Sequence, residues 1–390
     1  MQIELSHSIK NDKYTQYVYD TFDIQNTEET RVIIPMDISS LNSFDWNIGV
    51  IYGSSGSGKS TILKELGGIN KVQFDTEKSL ISNFDWLEPN EAGKVLTSMG
   101  LSSIPTWLRP FHLLSNGEQY RAELAYLVSS AKDGDTILID EYTSVVDRDV
   151  AKAMSFALQK YIRRENKKII LASCHNDIME WLMPDWTLSP QKGGTLERGE
   201  WLRQGRPNIE LQISRVEPKA WDFFKKHHYL TENVNNTYIF LLFEWNGNPV
   251  AINVIGRHIG RNSVEKSFRE SRIVVNPDYQ GMGIGSKVSE FCAGIIKNTN
   301  AKYYTKTVNP ALGEYRENNP NWKPTPFNGK IRTDKNLQKN AYTMLKLRAS
   351  YCHEYVGNPI DGYDELLQPI SEMRNNKNIN SETLNKFFQF

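Results

Sequence analysis

The sequence predicts a mixed α/β chain of two domains, an α/β domain over residues 1–205 followed by an α+β domain over residues 206–390. Three stretches carry that prediction. NIGVIYGSSGSGKSTILKEL runs from an alternating apolar strand through glycines into a helix-forming segment, and TILIDEYTS is a short apolar strand ending in two carboxylates. FRESRIVVNPDYQGMGIGSKVSEFCAGIIK repeats the first pattern, with a Pro turn and three glycines at alternate positions between strand and helix. In each case the apolar period changes from two to about 3.6 across a glycine loop. A chain of 390 residues is long enough for two domains that each bury a core.

Composition excludes several classes. The chain is 39% hydrophobic and 24% charged, which is ordinary globular usage, and no apolar run approaches the roughly 18 residues of a membrane span. The N-terminal MQIELSHSIKNDKY lacks the basic end and apolar core of a signal peptide, so a cytoplasmic protein is expected. Cys174, Cys292 and Cys352 are scattered singly, which argues against a disulfide scaffold or a zinc site. The net charge of zero hides an asymmetry. From Arg206 onward 25 Lys and Arg meet 18 Asp and Glu, leaving 21 against 28 before it. The excess is concentrated over 302–348, where ten basic residues meet three acidic ones among Tyr303, Tyr304, Tyr315, Trp322, Phe327 and Tyr342. That mixture suits a polyanion with stackable bases, although a solvated face over core aromatics reads the same way.

In the first domain G-x-x-x-x-G-K-[ST] falls on Gly53, Gly58, Lys59 and Ser60, the pattern of a P-loop. Backbone N–H groups of Gly53, Ser54, Ser55, Gly56, Ser57, Gly58 and Thr61 would face phosphate oxygens, with Lys59 reaching the β and γ oxygens of ATP and Ser60 a ligand of Mg²⁺. Asp140 is placed to hold Mg²⁺ and Glu141 to polarise the attacking water. Farther back, LLSNGEQYRAELAYL presents Ser115 and Gly117 at a helix start, a terminus that attracts anions. LSNGEQ resembles the LSGGQ signature of ABC-type ATPases, SVVD (Ser144 to Asp147) looks like their D-loop, and IILASCHND puts His175 where their switch histidine stands. The resemblance covers about residues 1 to 200. It implies ATP held between two copies, the P-loop of one facing Ser115 and Gly117 of the other, hence a homodimer through this domain. His175 would then contact the γ-phosphate. Roughly fifty-five residues separate the P-loop from LSNGEQ, fewer than in transporter ATPases. Gln73 is the nearest Q-loop residue, and Tyr19 or Phe22 the upstream aromatic for adenine.

The second domain opens on IELQIS, then PKAWDFFKKHHYL with Trp221, Phe224 and His228 at helical spacing, then two apolar runs around WNGN that read as a β-hairpin. Its boundary falls near Gly205 in a linker rich in Gly, Pro and charge. GMGIGS is G-x-G-x-G and not the G-x-G-x-x-G of a dinucleotide fold. The order strand, Pro, Gln-Gly-x-Gly-x-Gly and helix resembles motif A of the GNAT acyltransferases over about Val216 to Thr307. That likeness implies acetyl-coenzyme A gripped by the backbone of Val275, Gln280, Gly281, Met282, Gly283, Ile284 and Gly285. It also implies direct acyl transfer with a general base, for which His228 and Glu270 are candidates beside His227 and Tyr229, and an acid such as Tyr304 or Tyr315. Glu270 pairing with Arg272 on the surface, and HHY packing its helix, are the plain alternatives. The second half also distantly resembles the Mom-type DNA modification proteins of phages. Together these readings give an ATP-dependent acyltransferase acting on a nucleic-acid base, with 302–348 as the nucleic-acid segment and no membrane contact. The alternatives are an N-acetyltransferase of small-molecule or protein amines with a regulatory ATPase, and an ATP-driven DNA clamp with a non-catalytic GNAT domain.

Overall fold

Two short strands, β1 (Gln2–Ser8) and β2 (Glu29–Pro35), pair antiparallel ahead of the first apolar run, which forms β3 (Ile48–Tyr52). The structure is a computed structural model that describes residues 2–22, 25, 27–199, 201–202, 207–228, 233–258, 266–330 and 350–369, with 386–389 as backbone. It separates into two units, one of Met1–Gln73 with Tyr126–Pro207 and one of Phe74–Ala125 with Asn208–Phe390. Gly205, the expected boundary, lies outside the described residues, as does Tyr229.

The first unit holds β4 (Thr136–Ile139), β5 (Lys168–Ser173), β6 (Trp186–Leu188) and β7 (Leu196–Arg198) in a five-stranded sheet of order β4-β5-β3-β6-β7. The first four strands are parallel and β7 is antiparallel at the edge. Strands of a parallel sheet are covered on both faces, which is why IGVIY and KIILAS read as nearly unbroken apolar runs. Ile48, Val50, Ile51, Ile169, Leu171 and Ala172 are all buried. Helix Lys59–Leu66 follows β3 directly, and helix Arg148–Arg164 starts where the Asp147 carboxylate accepts from the Val150 amide at 3.0 Å.

In the second unit β8 (Glu210–Val216), β9 (Ile239–Trp245), β10 (Asn248–Arg257), β11 (Ser267–Val275), β12 (Lys302–Thr307), β13 (Trp322–Pro324), β14 (Tyr351–Tyr355) and β15 (Lys386–Gln389) form one sheet of order β13-β14-β12-β11-β10-β9-β8-β15. The WNGN turn is a hairpin, Asn246 and Gly247 both taking positive φ (50° and 78°) as a type I′ turn requires. The WDFF segment is shorter than its spacing suggests: one turn, Trp221–Phe224, continues as a 3₁₀ turn, Lys225–His227. Trp221 and Phe224 are its core anchors.

Phe74–Ala125 precedes the second unit in sequence by some eighty residues, yet packs with it. It carries helices Pro89–Ser98 and Ile104–Trp107 and the first ten residues of helix Asn116–Ser130. Its own small core includes Phe74 stacked on Phe111, ring centroids 4.2 Å apart. Sequence order would group it with the P-loop; long-range ion pairs and hydrogen bonds described below group it with the glycine loop after β11. Among the described residues no helix is long and apolar enough to cross a membrane.

Candidate functional site

The P-loop emerges at the carboxyl end of β3, where the helix Lys59–Leu66 begins. Gly58 is its N-cap, at φ 93° and ψ 10°. Lys59 Nζ donates to the carbonyls of Gly53 (2.9 Å) and Ser54 (2.8 Å), so the ammonium lies across the mouth of the loop where phosphate oxygens would replace those acceptors. Gln191, a residue the sequence gives no reason to single out, braces the loop: its Oε1 accepts from the Ser54 amide at 3.0 Å and its Nε2 donates to Ser54 Oγ at 2.8 Å. Ser55 and Gly56 are exposed, and Ser57 Oγ is buried without a partner among the described residues.

Ser60 Oγ donates to Asp140 Oδ1 at 3.0 Å across 80 residues of sequence. A hydroxyl and a carboxylate at that separation fit the hard-oxygen ligand set of Mg²⁺. The expected metal pair is therefore brought together. Glu141 follows β4 with a positive φ of 49°, and Thr143 with one of 68°, strain of the kind that gathers at reacting centres. His175 follows β5, its amide donating to Ser173 Oγ at 3.1 Å, while that hydroxyl donates to the Tyr142 carbonyl. The adenine candidates differ: Tyr19 donates to the Thr27 carbonyl at 3.1 Å, whereas Phe22 is 65% exposed. Gln73 is exposed.

In the second unit Ser115 and Glu118 form a reciprocal cap. Ser115 N–H and Oγ each donate to Glu118 Oε2 at 3.0 Å, and Glu118 N–H returns to Ser115 Oγ at 3.3 Å. Thr106 adds a bond to Oε1 at 3.1 Å. Burial pushes the Glu118 carboxyl up, but the hydrogen bonds from Ser115 and Thr106 outweigh it and hold it below the usual carboxylate range. Ser115 itself stays exposed and Gly117 half-buried, with the free N–H groups of a helix start beside them.

The second glycine loop follows β11. Gly283 is the N-cap of helix Ile284–Asn298, at φ 88° and ψ 5°. Met282 and Ile284 are buried while Gly281, Gly283 and Gly285 stay partly open. Alternate side chains thus anchor the loop in the core and leave its backbone to face a ligand. Lys and Arg are absent from GMGIGS. Gln280 does not project as a ligand side chain: its Nε2 donates to the Val275 carbonyl at 2.8 Å, and its Oε1 accepts from the Ser102 amide at 2.7 Å. Beside the loop, β11 and β12 pair only from Ser267↔Lys302 to Arg269↔Tyr304 and then part.

The structure places Glu270, a base candidate, in a buried ion pair. It is buried, with Oε1 2.6 Å from Arg316 Nη2 and Oε2 accepting from Ser289 Oγ (2.7 Å) and Asn253 Nδ2 (3.2 Å). Glu270 is thereby the counter-charge of Arg316, which is fully buried. Nor does Glu270 pair with Arg272 at the surface. Arg316 sits 46 residues away and no local pattern announces it.

His228 ends the 3₁₀ turn, its ring edge-on to Trp221 at 5.7 Å. Burial, then the Arg272 charge, pushes its pKa down to about 4, so the imidazole is unprotonated at neutral pH, with its lone pair open to a proton. Tyr315 donates to Glu290 Oε1 at 2.7 Å and accepts from Asn319 at 2.8 Å, on the helix Pro310–Glu317. Burial, and the carboxylate it donates to, push its phenol well up, which keeps the proton in place. Tyr304 packs against His258, ring centroids 5.3 Å apart.

The aromatic residues expected to stack bases are mostly elsewhere employed. Tyr303 and Trp322 are core residues, 1% and 4% exposed, and Arg316 is buried under the same sheet. Phe327 alone among the described ones is open, at 57%, and Tyr342 lies outside the described residues. A buried ring has no face to offer a base, so Tyr303 and Trp322 do not serve that expectation, whereas Tyr304 and Tyr315 are half-buried.

Residues 175–317 match the acetyltransferase (GNAT) family model. No curated protein matches the chain. Among solved structures, cbiO1 of the cbiONQ ABC transporter complex of Clostridium perfringens is 19% identical over 40% of this chain and 79% of its own, at a TM-score of 0.32. A dimeric bacterial ABC transporter cassette is 14% identical over 39% of this chain and 85% of its own, at 0.31. The ribosomal-protein-S18-alanine N-acetyltransferase from Escherichia coli is 15% identical over 39% of this chain and 96% of its own, at 0.28. Residues 175–317 thus carry the match to the acetyltransferase (GNAT) family, and the P-loop pattern of Gly53 to Ser60 precedes them.

Proposed function

We propose that the protein is an ATP-dependent acyltransferase, in which hydrolysis of ATP by an ABC-type homodimer accompanies acyl transfer from acetyl-coenzyme A. The observation that carries this reading is the presence of two phosphate loops of equal backbone form, one with the Ser60–Asp140 pair and Lys59 at hand and one with neither. Mg²⁺ bound by Ser60 and Asp140 would neutralise charge on the phosphates. Lys59 would trade its loop carbonyls for phosphate oxygens, Glu141 would orient water, and His175 would donate toward the γ-phosphate. Dimerisation is supported by large apolar side chains left open beside the signature and D-loop motifs, Leu113 at 61% and Val145 at 57%.

In the acyltransferase site the glycine-loop backbone would hold the coenzyme A pyrophosphate as a handle. Neutral His228 would take the proton from the attacking amine, and Tyr315 would supply one to the leaving thiolate. The acceptor we infer is the exocyclic amine of a nucleic-acid base, on the strength of the basic excess after Arg206 and open Phe327. The test is mass spectrometry of nucleosides from cells expressing the protein beside a Gln280→Ala/Gly283→Val variant. A modified base present only with the active chain is expected. Acetylation of free or peptide amines with no modified nucleoside would instead establish the amine acetyltransferase, and failure to bind acetyl-coenzyme A by calorimetry would leave an ATP-driven clamp. For the ATPase, Glu141→Gln should trap ATP-bound dimers visible by gel filtration; normal turnover in that variant would refute its role.

A further inference from the structure

The segment Phe74–Ala125 meets the rest of the second unit around the glycine loop and at the helix Pro310–Glu317. Arg121, on the helix that Ser115 caps, is 1% exposed and reaches Asp278 Oδ1 at 3.1 Å in the Pro turn just before GMGIGS. The Ser102 amide donates to Gln280 Oε1 at 2.7 Å, and a Cβ on Gly100 would lie 3.2 Å from the Gln280 carbonyl, so the two backbones meet. Lys94 pairs with Glu314 at 3.0 Å on the helix that carries Tyr315. A buried guanidinium has strong reason to keep its carboxylate: Asp278 pairs with Arg121 directly, the Glu118 charge adds attraction, and Arg121 Nε has no partner among the described residues. Gln280 is fixed from both ends of its amide, to Val275 within the loop and to Ser102 outside it.

From these contacts we propose that Arg121 and Ser102 are positioning residues for the acyl-coenzyme A loop. Displacement of the signature helix when its Ser115 end meets ATP moves Asp278 and Gln280, so the two cofactors alter each other's affinity. The inference rests on the proposed reading of Ser115 as an ATP contact. Six residues, less than two helical turns, separate that serine from Arg121. A rigid helix carries a shift at its first turn to its second, and the ion pair delivers it to the loop. Linkage then requires reciprocity: whatever factor ATP imposes on acetyl-coenzyme A, acetyl-coenzyme A imposes on ATP.

Calorimetric titration of the full chain with acetyl-coenzyme A, with and without saturating adenylyl-imidodiphosphate and Mg²⁺, reads the factor directly. A change in Kd of about fivefold or more is expected, equal when the titration is reversed. Asp278 is 47% exposed, so Asp278→Asn keeps the fold while losing the charge. It should bring the factor to about one with both ligands still bound, and Asp278→Glu should restore most of it. A structural role alone would weaken acetyl-coenzyme A binding equally with and without the analogue. If both ligands bind to the wild type with a factor of one, or if Asp278→Asn keeps the wild-type factor, the inference is overturned and the ATP reading stands. No heat from the analogue alone would overturn both.

Discussion

At the P-loop Gly58 enters its helix at φ 93° and ψ 10°; at the second loop Gly283 enters at 88° and 5°. The left-handed N-cap turns successive N–H groups toward one point, the shared requirement of any phosphate cradle. What surrounds the two caps differs. Behind Gly58 stands Ile34, close enough that a Cβ would come within 2.7 Å of its Cδ1, and in front lies the Lys59 ammonium. Around Gly283 a Cβ would meet nothing within 4 Å, and the nearby polar side chain, Gln280, is bound to backbone on both sides. On the proposed reading, one loop would serve a reaction that changes charge, and the other would hold charge still. The lesson is that glycine spacing identifies a phosphate loop, while the neighbours decide whether phosphate reacts there.

The largest expected effect breaks the reactive side of that comparison. Lys59→Ala removes the cation that would face the β and γ oxygens, and ATP turnover should fall by a factor of about 10² or more. Acetyl-coenzyme A binding by the same full-length variant, measured without ATP, should persist. Retention of full ATPase activity would show that the loop is occupied by something other than a triphosphate.

A smaller effect concerns the site served by the second loop. His228→Gln should reduce acyl transfer by about 10²-fold if its imidazole is the base. The pH profile is the sharper measurement. Burial holds the folded pKa near 4, below the ordinary 6.5, so the neutral form persists on acidification and the acid limb of kcat/KM should fall near pH 4. The same shift sets a stability trend. Because the unfolded imidazole gains its proton first, His228 contributes stability above pH 6.5 that is lost as pH drops through 6.5 toward 4. An acid limb at 6.5 that persists in His228→Gln would assign the base elsewhere.

Local chemistry was legible in the sequence where one motif spans a strand, a loop and a helix. GSSGSGKS, TILIDEYTS and GMGIGS each declare their own backbone, and the WNGN hairpin needs only its Asn-Gly pair. Ser60 and Asp140 meet across the sheet because both strands of the motif pattern are parallel neighbours of β5. Contacts between distant segments were not legible. Nothing around Arg121 distinguishes it from an exposed helical arginine, and only the fold puts Asp278 beside it. Glu270 misled for the same reason: its partner Arg316 lies beyond a helix and a strand, so a buried ion pair reads as a free acid. Tyr303 and Trp322 sit among basic residues in sequence but point into the core, since a strand sends neighbouring side chains to opposite faces.

The smallest predicted effect tests the two caps against each other directly. Alanine at either position must hold a left-handed backbone, worth about 1–2 kcal/mol. At Gly58 the new methyl also displaces Ile34, part of the core packed with Met36, Trp46 and Ile62, and overpacking of that kind adds about 1–3 kcal/mol. Gly58→Ala should therefore destabilise the first unit more than Gly283→Ala destabilises the second, read as the shift of each unit's transition in chemical unfolding. The double variant Gly58→Ala/Ile34→Val makes room at the contact without relieving the backbone, so it should recover part of the excess loss. Equal losses for the two alanines would mean that Ile34 yields freely, and that the caps differ in the chemistry around them and not in their packing.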